Sequence, residues 1–430
     1  MKSSLPKVLH PIGNLAMLGH VLKAVDEAGC GRTAVVVGPG HEATAELVKG
    51  RMPDAGCFVQ VERLGTAHAV MAARQALEDP ADDVVVLFGD TPFINAEAIT
   101  AMRSGLAGGA AVVVGGMRPA DPQHYGRLIF EDGRLVAIRE YRDASDAERA
   151  ITFCNGGVMA FAGKTMLSVL DQISDANDQK EFYLTDAVEI ANRMGLEAKA
   201  IELPEEVVLG INDRVQLADA EARFQIAMRR KAMLGGASMT DPNSVYFSYD
   251  TALGQDIDIE PEVYFGPGVK IEDGATIRAF SHIEAAHIRG GATIGPFARL
   301  RPGADIGVSA KVGNFCEVKN AVVEEGAKIN HLAYVGDAHV GARANIGAGT
   351  ITCNYDGFSK FRTEIGEGAF IGSNSSLVAP VTIEAGAYIA TGSVITKSVS
   401  ADALAIGRSR QVEKPGWVKK RQALSGSGKD

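Results

Sequence analysis

The sequence predicts two unlike halves in one chain: an α/β domain, Rossmann-like, followed by a parallel β-helix. Three observations carry this expectation. Apolar runs ending in glycine alternate with helix-like stretches over the first half. One long helical stretch follows, stopped by two glycines. Beyond it, aliphatic residues recur at every sixth position from about 257 to 400.

The α/β half covers residues 1–212. "TAVVVG" (33–38) and "DVVVLFGD" (83–90) read as buried parallel strands, because strands covered on both faces are continuously apolar. Helix-like stretches lie near 41–50 and 66–77. "GRLIFEDGRLVAIRE" (126–140) reads as a hairpin turning on Asp132-Gly133, residues that tolerate the positive φ of a two-residue turn. A linker helix is expected within 213–240, ended by Gly235-Gly236. "ASMTDPNSVYFSYD" (237–250) reads as an irregular connector.

The β-helix is expected over 241–400 and a tail over 401–430. Ile365, Ile371, Leu377, Ile383, Ile389 and Ile395 fall six apart. Four places after each comes a small or β-branched residue: Ala369, Ser375, Val381, Ala387, Ser393 and Val399. Earlier runs begin at Ile259, Ile288, Val323 and Val340, with slips of five residues between them. Alternation of period two does not explain this, since glycines and polar residues fill the intervening turns. A short strand plus a turn does, with one bulky residue pointing inward per repeat and three repeats per coil. Between Ile346 and Ile365, "GAGTITCNYDGFSKFRTE" breaks the period. A polar loop leaving a rigid column is a natural place for a site.

Bulk properties narrow the function. The 430 residues are 46% hydrophobic and 22% charged, with net charge −10, which argues against nucleic acid or an anionic membrane as general partner. No apolar run approaches a membrane span. Cys30, Cys57, Cys154, Cys316 and Cys353 are scattered and odd in number, pointing to a reducing compartment and a cytoplasmic protein.

In its motifs the chain resembles the bacterial family of bifunctional N-acetylglucosamine-1-phosphate uridyltransferases/glucosamine-1-phosphate acetyltransferases. The second half carries "NFCEVKNAVVEEGAKINHLAYVGDAHVGARANIGAGTITCNYDGFSKFRT" (314–363). The first half carries, in order, "LPKVLH", "LGTAHA", "FGDTP", "YGR", "CNGG", "EFYLTD" and "GINDR". The resemblance implies a left-handed β-helix that trimerises, with coenzyme sites shared between neighbouring chains and the tail packing across to another subunit. It implies acetylation of glucosamine 1-phosphate by acetyl-CoA, then UMP transfer from UTP to N-acetylglucosamine 1-phosphate with Mg²⁺. The product, UDP-N-acetylglucosamine, feeds peptidoglycan and lipopolysaccharide synthesis.

For acetyl transfer, the resemblance places the base at His331; a free imidazole titrates at about 6.5. Glu317, fourteen residues earlier and so about one coil below, is expected to orient it. Arg301, Lys319, Tyr334, Asn345 and Lys360 match sugar-phosphate ligands, charges suited to a phosphate. Asn354, Tyr355, Ala348, Ser373, Thr391 and Arg408 match the acetyl-CoA side, with Thr391 where alanine is common. A lone histidine on a turn, or a lone surface lysine, is usually only solvated; here several come from separate coils and one loop.

For uridylyl transfer, Asp90 at a strand end and Asn212 match metal ligands, Lys7 a phosphate contact, and Gln60, Gly65 and Thr66 nucleotide contacts. Gly126, Glu140 and Asn155 match the sugar pocket. Phe88 stands where relatives carry tyrosine. Relatives also carry a strand and a loop of the form L-A-A-G-x-G-T-R before "M-x-S-x-LPKVLH", and here Met1 takes the place of that methionine. The expectation is either a translation start upstream, the favoured reading, or a chain in which uridylyl transfer is lost or impaired. Without the strand, neighbouring ladder groups would stand unpaired. Two further readings are an acetyltransferase alone and a non-catalytic nucleotidyltransferase-like subunit. A zinc β-helix enzyme using His282, His287, His331 and His339 is a third.

Overall fold

The computed structural model describes residues 1–79, 81–122, 125–177 and 179–426. The chain forms two compact units, Met1–Phe224 and Gln225–Asp430. The helix Arg214–Leu234 runs through the boundary between them.

The first unit is built on a six-stranded mixed sheet. Cys154–Ala162 is its centre, antiparallel to Val112–Met117, to Asp83–Val86 and, at one end, to Arg127–Glu131. Ala198–Glu202 joins Val112–Met117 in parallel. The hairpin pairs Arg127–Glu131 with Arg134–Arg139, and Asp132 and Gly133 take φ of 47° and 77° as that turn requires. Helices Glu42–Arg51, Thr66–Ala72 and Arg74–Leu77 occupy the helix-like stretches.

The two valine-rich runs depart from expectation. Ala34–Val37 pairs in parallel only with Gly56–Val59, in a separate two-stranded sheet, and Asp83–Val86 is antiparallel to its neighbour. Among the described residues each of these two runs has a strand partner on one edge only. Of their valines only Val37 is buried. A strand flanked on a single edge leaves part of each face open, whatever its hydrophobicity.

In the second unit, short parallel strands stack into two long sheets, one of ten strands and one of fourteen. Ile259, Ile277, Ile294, Val312, Ile329, Ile346, Ile371 and Ile389 pair one above the next. The five-residue slips shorten some coils from eighteen residues to seventeen, as at Ile294 over Ile277 and Ile329 over Val312. The polar insertion lengthens the coil between Ile346 and Ile371. All eight side chains are at most 2% exposed, and the small partners Ala369, Ser375, Ala387 and Ser393 are fully buried. The period of six is therefore the inward position of each strand. The expected irregular connector is in fact the first coil. Ala237–Met239 pairs with Ile257–Ile259, and Val245 and Phe247 lie in the core. Gln225 exchanges two hydrogen bonds of 2.8 Å with the Phe247 backbone, and Arg229 Nε donates to Val245 O at 2.8 Å. These close the open end of the column, where no lower coil supplies partners.

A cavity in so regular a core has little room to collapse. Ile329→Ala is expected to destabilise this unit by about 2–5 kcal/mol, read as a lowered denaturant midpoint for its transition. An unchanged midpoint would show that the aliphatic stack does not hold the column.

Candidate active sites

On the β-helix, His331 ends the strand Lys328–His331 and is exposed. Its Nδ1 lies 2.5 Å from Asn314 Oδ1, and Asn314 is its register partner one coil below. With the amide oxygen accepting the Nδ1 proton, Nε2 presents a lone pair to the outside. Glu317 is not the orienting residue. It stands beneath Tyr334, accepts from Arg301 Nη1 at 2.8 Å, and lies 4.0 Å from Arg299. The coil here is seventeen residues long, so the position under His331 is 314, which the coil spacing itself points to.

Above His331 the corner continues as a column. Gly349 N–H donates to His331 O, Asn374 N–H to Ala348 O and Gly392 N–H to Ser373 O, so Ala348, Ser373 and Thr391 follow one another coil by coil. Arg408 tops the column, its Cδ 3.6 Å from where a Cβ on Gly392 would stand.

Tyr334 lies three residues beyond His331, around the turn at Leu332. Its Oη accepts from Asn354 Nδ2 at 3.4 Å, and the same amide donates to Asp337. Asp337 also accepts from Asn320 Nδ2 at 2.6 Å and is 9% exposed. Burial pushes its carboxyl up, but the two amides and the charges of Lys319 and Lys360 outweigh this and hold it below the ordinary aspartate value. Stability from this group is present above the unfolded-state value and is lost as pH falls through the lowered one. Lys319, Lys360, Tyr334 and Asn354 thus surround one carboxylate that motif matching missed. Tyr355 and Lys360 bridge across the loop, and Tyr355 Oη donates to Gly357 O at 2.6 Å. Asn345 stands apart from these groups, three residues before Ala348 on a strand between Lys328 and Phe370.

In the first unit, Lys7 Nζ donates to Asp90 Oδ2 and, at 3.0 Å, to Asn212 Oδ1. Two oxygens from distant segments converge on one cation, a donor pair suited to a hard divalent ion that keeps its other positions for water or phosphate. The residues present fit such an ion. Gln60 Nε2 donates to Gly65 O at 3.2 Å. A Cβ at Gly65, where φ is 112°, would lie 2.5 Å from Phe182 O, so only glycine fits. Thr66 Oγ1 accepts from Leu184 N, and Thr185 Oγ1 donates to Glu140 Oε1 at 3.3 Å. The motifs "LGTAHA" and "EFYLTD" are thereby laced together. Thr66 and Glu140 line one cleft of about 510 Å³ with Tyr141, Asp143 and Tyr183. Burial, then Asp143 and Asp186, raise the Glu140 carboxyl against the lowering bond from Thr185. Gly126 accepts from Asn155 N at 2.8 Å, and a Cβ on it would stand 3.5 Å from Glu140 Oε2. The Phe88 ring lies against Gly157.

The four histidines of the zinc reading are separately engaged: His282 stacks on Tyr264, His287 bonds Glu272, His331 bonds Asn314 and His339 bonds Glu324. Among the described residues, no cluster of three or more His, Cys, Asp or Glu could hold a metal. Among them too, no helix is long and apolar enough to cross a membrane.

The fold and these sites define a chain with a nucleotidyltransferase half and a hexapeptide-repeat transferase half. The family description "MobA-like NTP transferase domain" matches residues 1–181, and "Bacterial transferase hexapeptide (six repeats)" matches 362–397. The chain is 58% identical to the "Bifunctional protein GlmU" of Azorhizobium caulinodans, over 100% of this chain and 96% of that protein. It is 57% identical to that of Xanthobacter autotrophicus over 97% and 94%, and 51% identical to that of Bartonella quintana over 99% and 96%. A solved structure of a putative glucose-1-phosphate thymidylyltransferase from Bacillus anthracis matches at TM-score 0.41 and 17% identity, over 50% of this chain and 85% of that one. This chain belongs to the GlmU family of bifunctional enzymes, glucosamine-1-phosphate acetyltransferase and N-acetylglucosamine-1-phosphate uridyltransferase in one polypeptide. Its repeat half is the family's left-handed parallel β-helix.

Proposed function

We propose that acetyl transfer takes place at the His331 corner of the β-helix and uridylyl transfer between Asp90, Asn212 and the Glu140 cleft. The observation that carries the first assignment is the ladder setting Ala348 directly above His331. His331 Nε2 takes a proton from the amine of glucosamine 1-phosphate as that nitrogen attacks the thioester carbonyl. The C–N bond forms, the C–S bond breaks, and coenzyme A leaves as thiolate and is then protonated. Ala348 N–H donates to the developing oxyanion. Lys319, Lys360 and Arg301 face the substrate phosphate, Tyr334 and Asn345 the sugar. Asn354, Tyr355, Ser373, Thr391 and Arg408 hold acetyl-CoA along the loop and the column.

In the first unit, Asp90 and Asn212 would hold Mg²⁺, which when bound neutralises charge on the UTP phosphates. Lys7 contacts phosphate, Gln60, Gly65 and Thr66 the nucleotide, and Gly126, Glu140 and Asn155 the sugar. The reaction belongs in the cytoplasm, where both co-substrates are made.

The working assembly is a homotrimer. Phe280, Phe297 and Phe315 stack along one corner with ring centroids 4.8 and 5.1 Å apart, and all three are about half exposed. Leu332, 62% exposed, continues this apolar seam beside His331. Such a surface supports burial against a second copy. The two half-reactions assayed separately, with light scattering for mass, test the whole reading. A monomer with full acetyl transfer, or acetyl transfer absent from a trimer, would contradict it.

A further inference from the structure

Arg127 is the most deeply buried charged side chain among the described residues, at 2% exposure. The oxygens that take its N–H groups are backbone carbonyls. Tyr125 O takes Nη1, and Arg149 O takes Nε at 3.3 Å and Nη2 at 3.2 Å. Its guanidinium also lies 5.7 Å from the centre of the Tyr141 ring, with that of Arg149 at 5.0 Å. Arg149 in turn donates to Tyr141 O at 3.2 Å. A guanidinium stays charged, and burying it against neutral acceptors is expensive. So costly a group is best explained by what it holds in place.

The register shows what that is. Arg127 pairs with Arg139 on one side and Cys154 on the other. Gly126, Glu140 and Asn155 are each one residue from this three-strand row. The side chain of Arg127, next to Gly126, reaches the ring of Tyr141, next to Glu140. One residue therefore ties together the segments that carry all three groups, its guanidinium reaching Tyr125 and Tyr141 and its backbone pairing with Cys154.

We propose that Arg127 is a positioning residue of the sugar pocket: with Tyr141 it fixes the spacing of Gly126, Glu140 and Asn155, and so sets affinity for N-acetylglucosamine 1-phosphate. This rests on reading those three residues as the sugar pocket. None of the three need move far for binding to fail, because hydrogen bonds weaken steeply with distance and angle.

Calorimetric binding of N-acetylglucosamine 1-phosphate and of UTP to the full chain tests it, with thermal unfolding and acetyl transfer as controls. Arg127→Met should weaken sugar-phosphate binding about tenfold or more and leave UTP binding and acetyl transfer unchanged. Arg127→Lys should fall between, as an ammonium cannot span both carbonyls. If Arg127→Met does not fold, Arg127→Lys decides by the same criterion. Normal sugar binding in the folded variants, with binding lost in Glu140→Gln, overturns the proposal and leaves the pocket assignment standing. Normal binding in Glu140→Gln as well removes the pocket assignment itself. Equal weakening of UTP and sugar binding reduces Arg127 to a purely structural role.

Discussion

Replacing His331 by alanine is expected to slow acetyl transfer by about 10²–10⁴-fold while uridylyl transfer proceeds at its normal rate. The amine of the acceptor must shed a proton as it attacks, and Nε2 is the lone pair that the corner presents. Two sites on separate compact units make the second activity an internal control for folding. Asn314 supplies a finer test. Its Oδ1 sets the tautomer, so Asn314→Leu should lose part of the rate and Asn314→Asp, which keeps an acceptor, should retain more. Parallel loss of both activities in His331→Ala would mean damaged folding. Full acetyl transfer in that variant would remove His331 as the base.

The second large effect is expected at Asp90. Asp90→Asn should reduce uridylyl transfer by about 10²–10³-fold and move its Mg²⁺ requirement to higher concentration, with acetyl transfer untouched. A carboxylate is a far stronger ligand for a hard dication than an amide, and Asn212 would already supply an amide oxygen, which here accepts from Lys7 Nζ. Chelating divalent ions should stop uridylyl transfer and spare acetyl transfer for the same reason. Wild-type magnesium dependence in Asp90→Asn would show that the ion is held elsewhere.

Particular residues show how far the chain could be read before it was folded. Ile329, Ile346, Ile371 and their like had to point inward, since nothing else has a period of six, and each is buried as that reading requires. The hairpin at Asp132-Gly133 was equally legible, because few dipeptides accept its φ values. Other elements were misread for physical reasons. Phe247 has Asp241 rather than an apolar residue six places before it, so the first coil looked like a connector. Its far side is closed by Gln225 and Arg229, from a helix. The valines of Ala34–Val37 and Asp83–Val86 read as buried because composition records what a strand can bury, not what covers it. Asp337 lies within the matched stretch 314–363 but no role marks it there, and its importance appears only when Asn320, Asn354, Lys319 and Lys360 close around it.

By itself, then, the order of residues determined the column, the hairpin, the two-part architecture and the family, because these depend on local periodicity, turn chemistry and motif order. Folding alone decided that Asn314 rather than Glu317 underlies His331, that Lys7 Nζ lies between Asp90 and Asn212, and that the Arg127 guanidinium reaches the Tyr141 ring. Such contacts depend on coil length and strand register, where a shift of a few residues brings a different side chain to the same point in space.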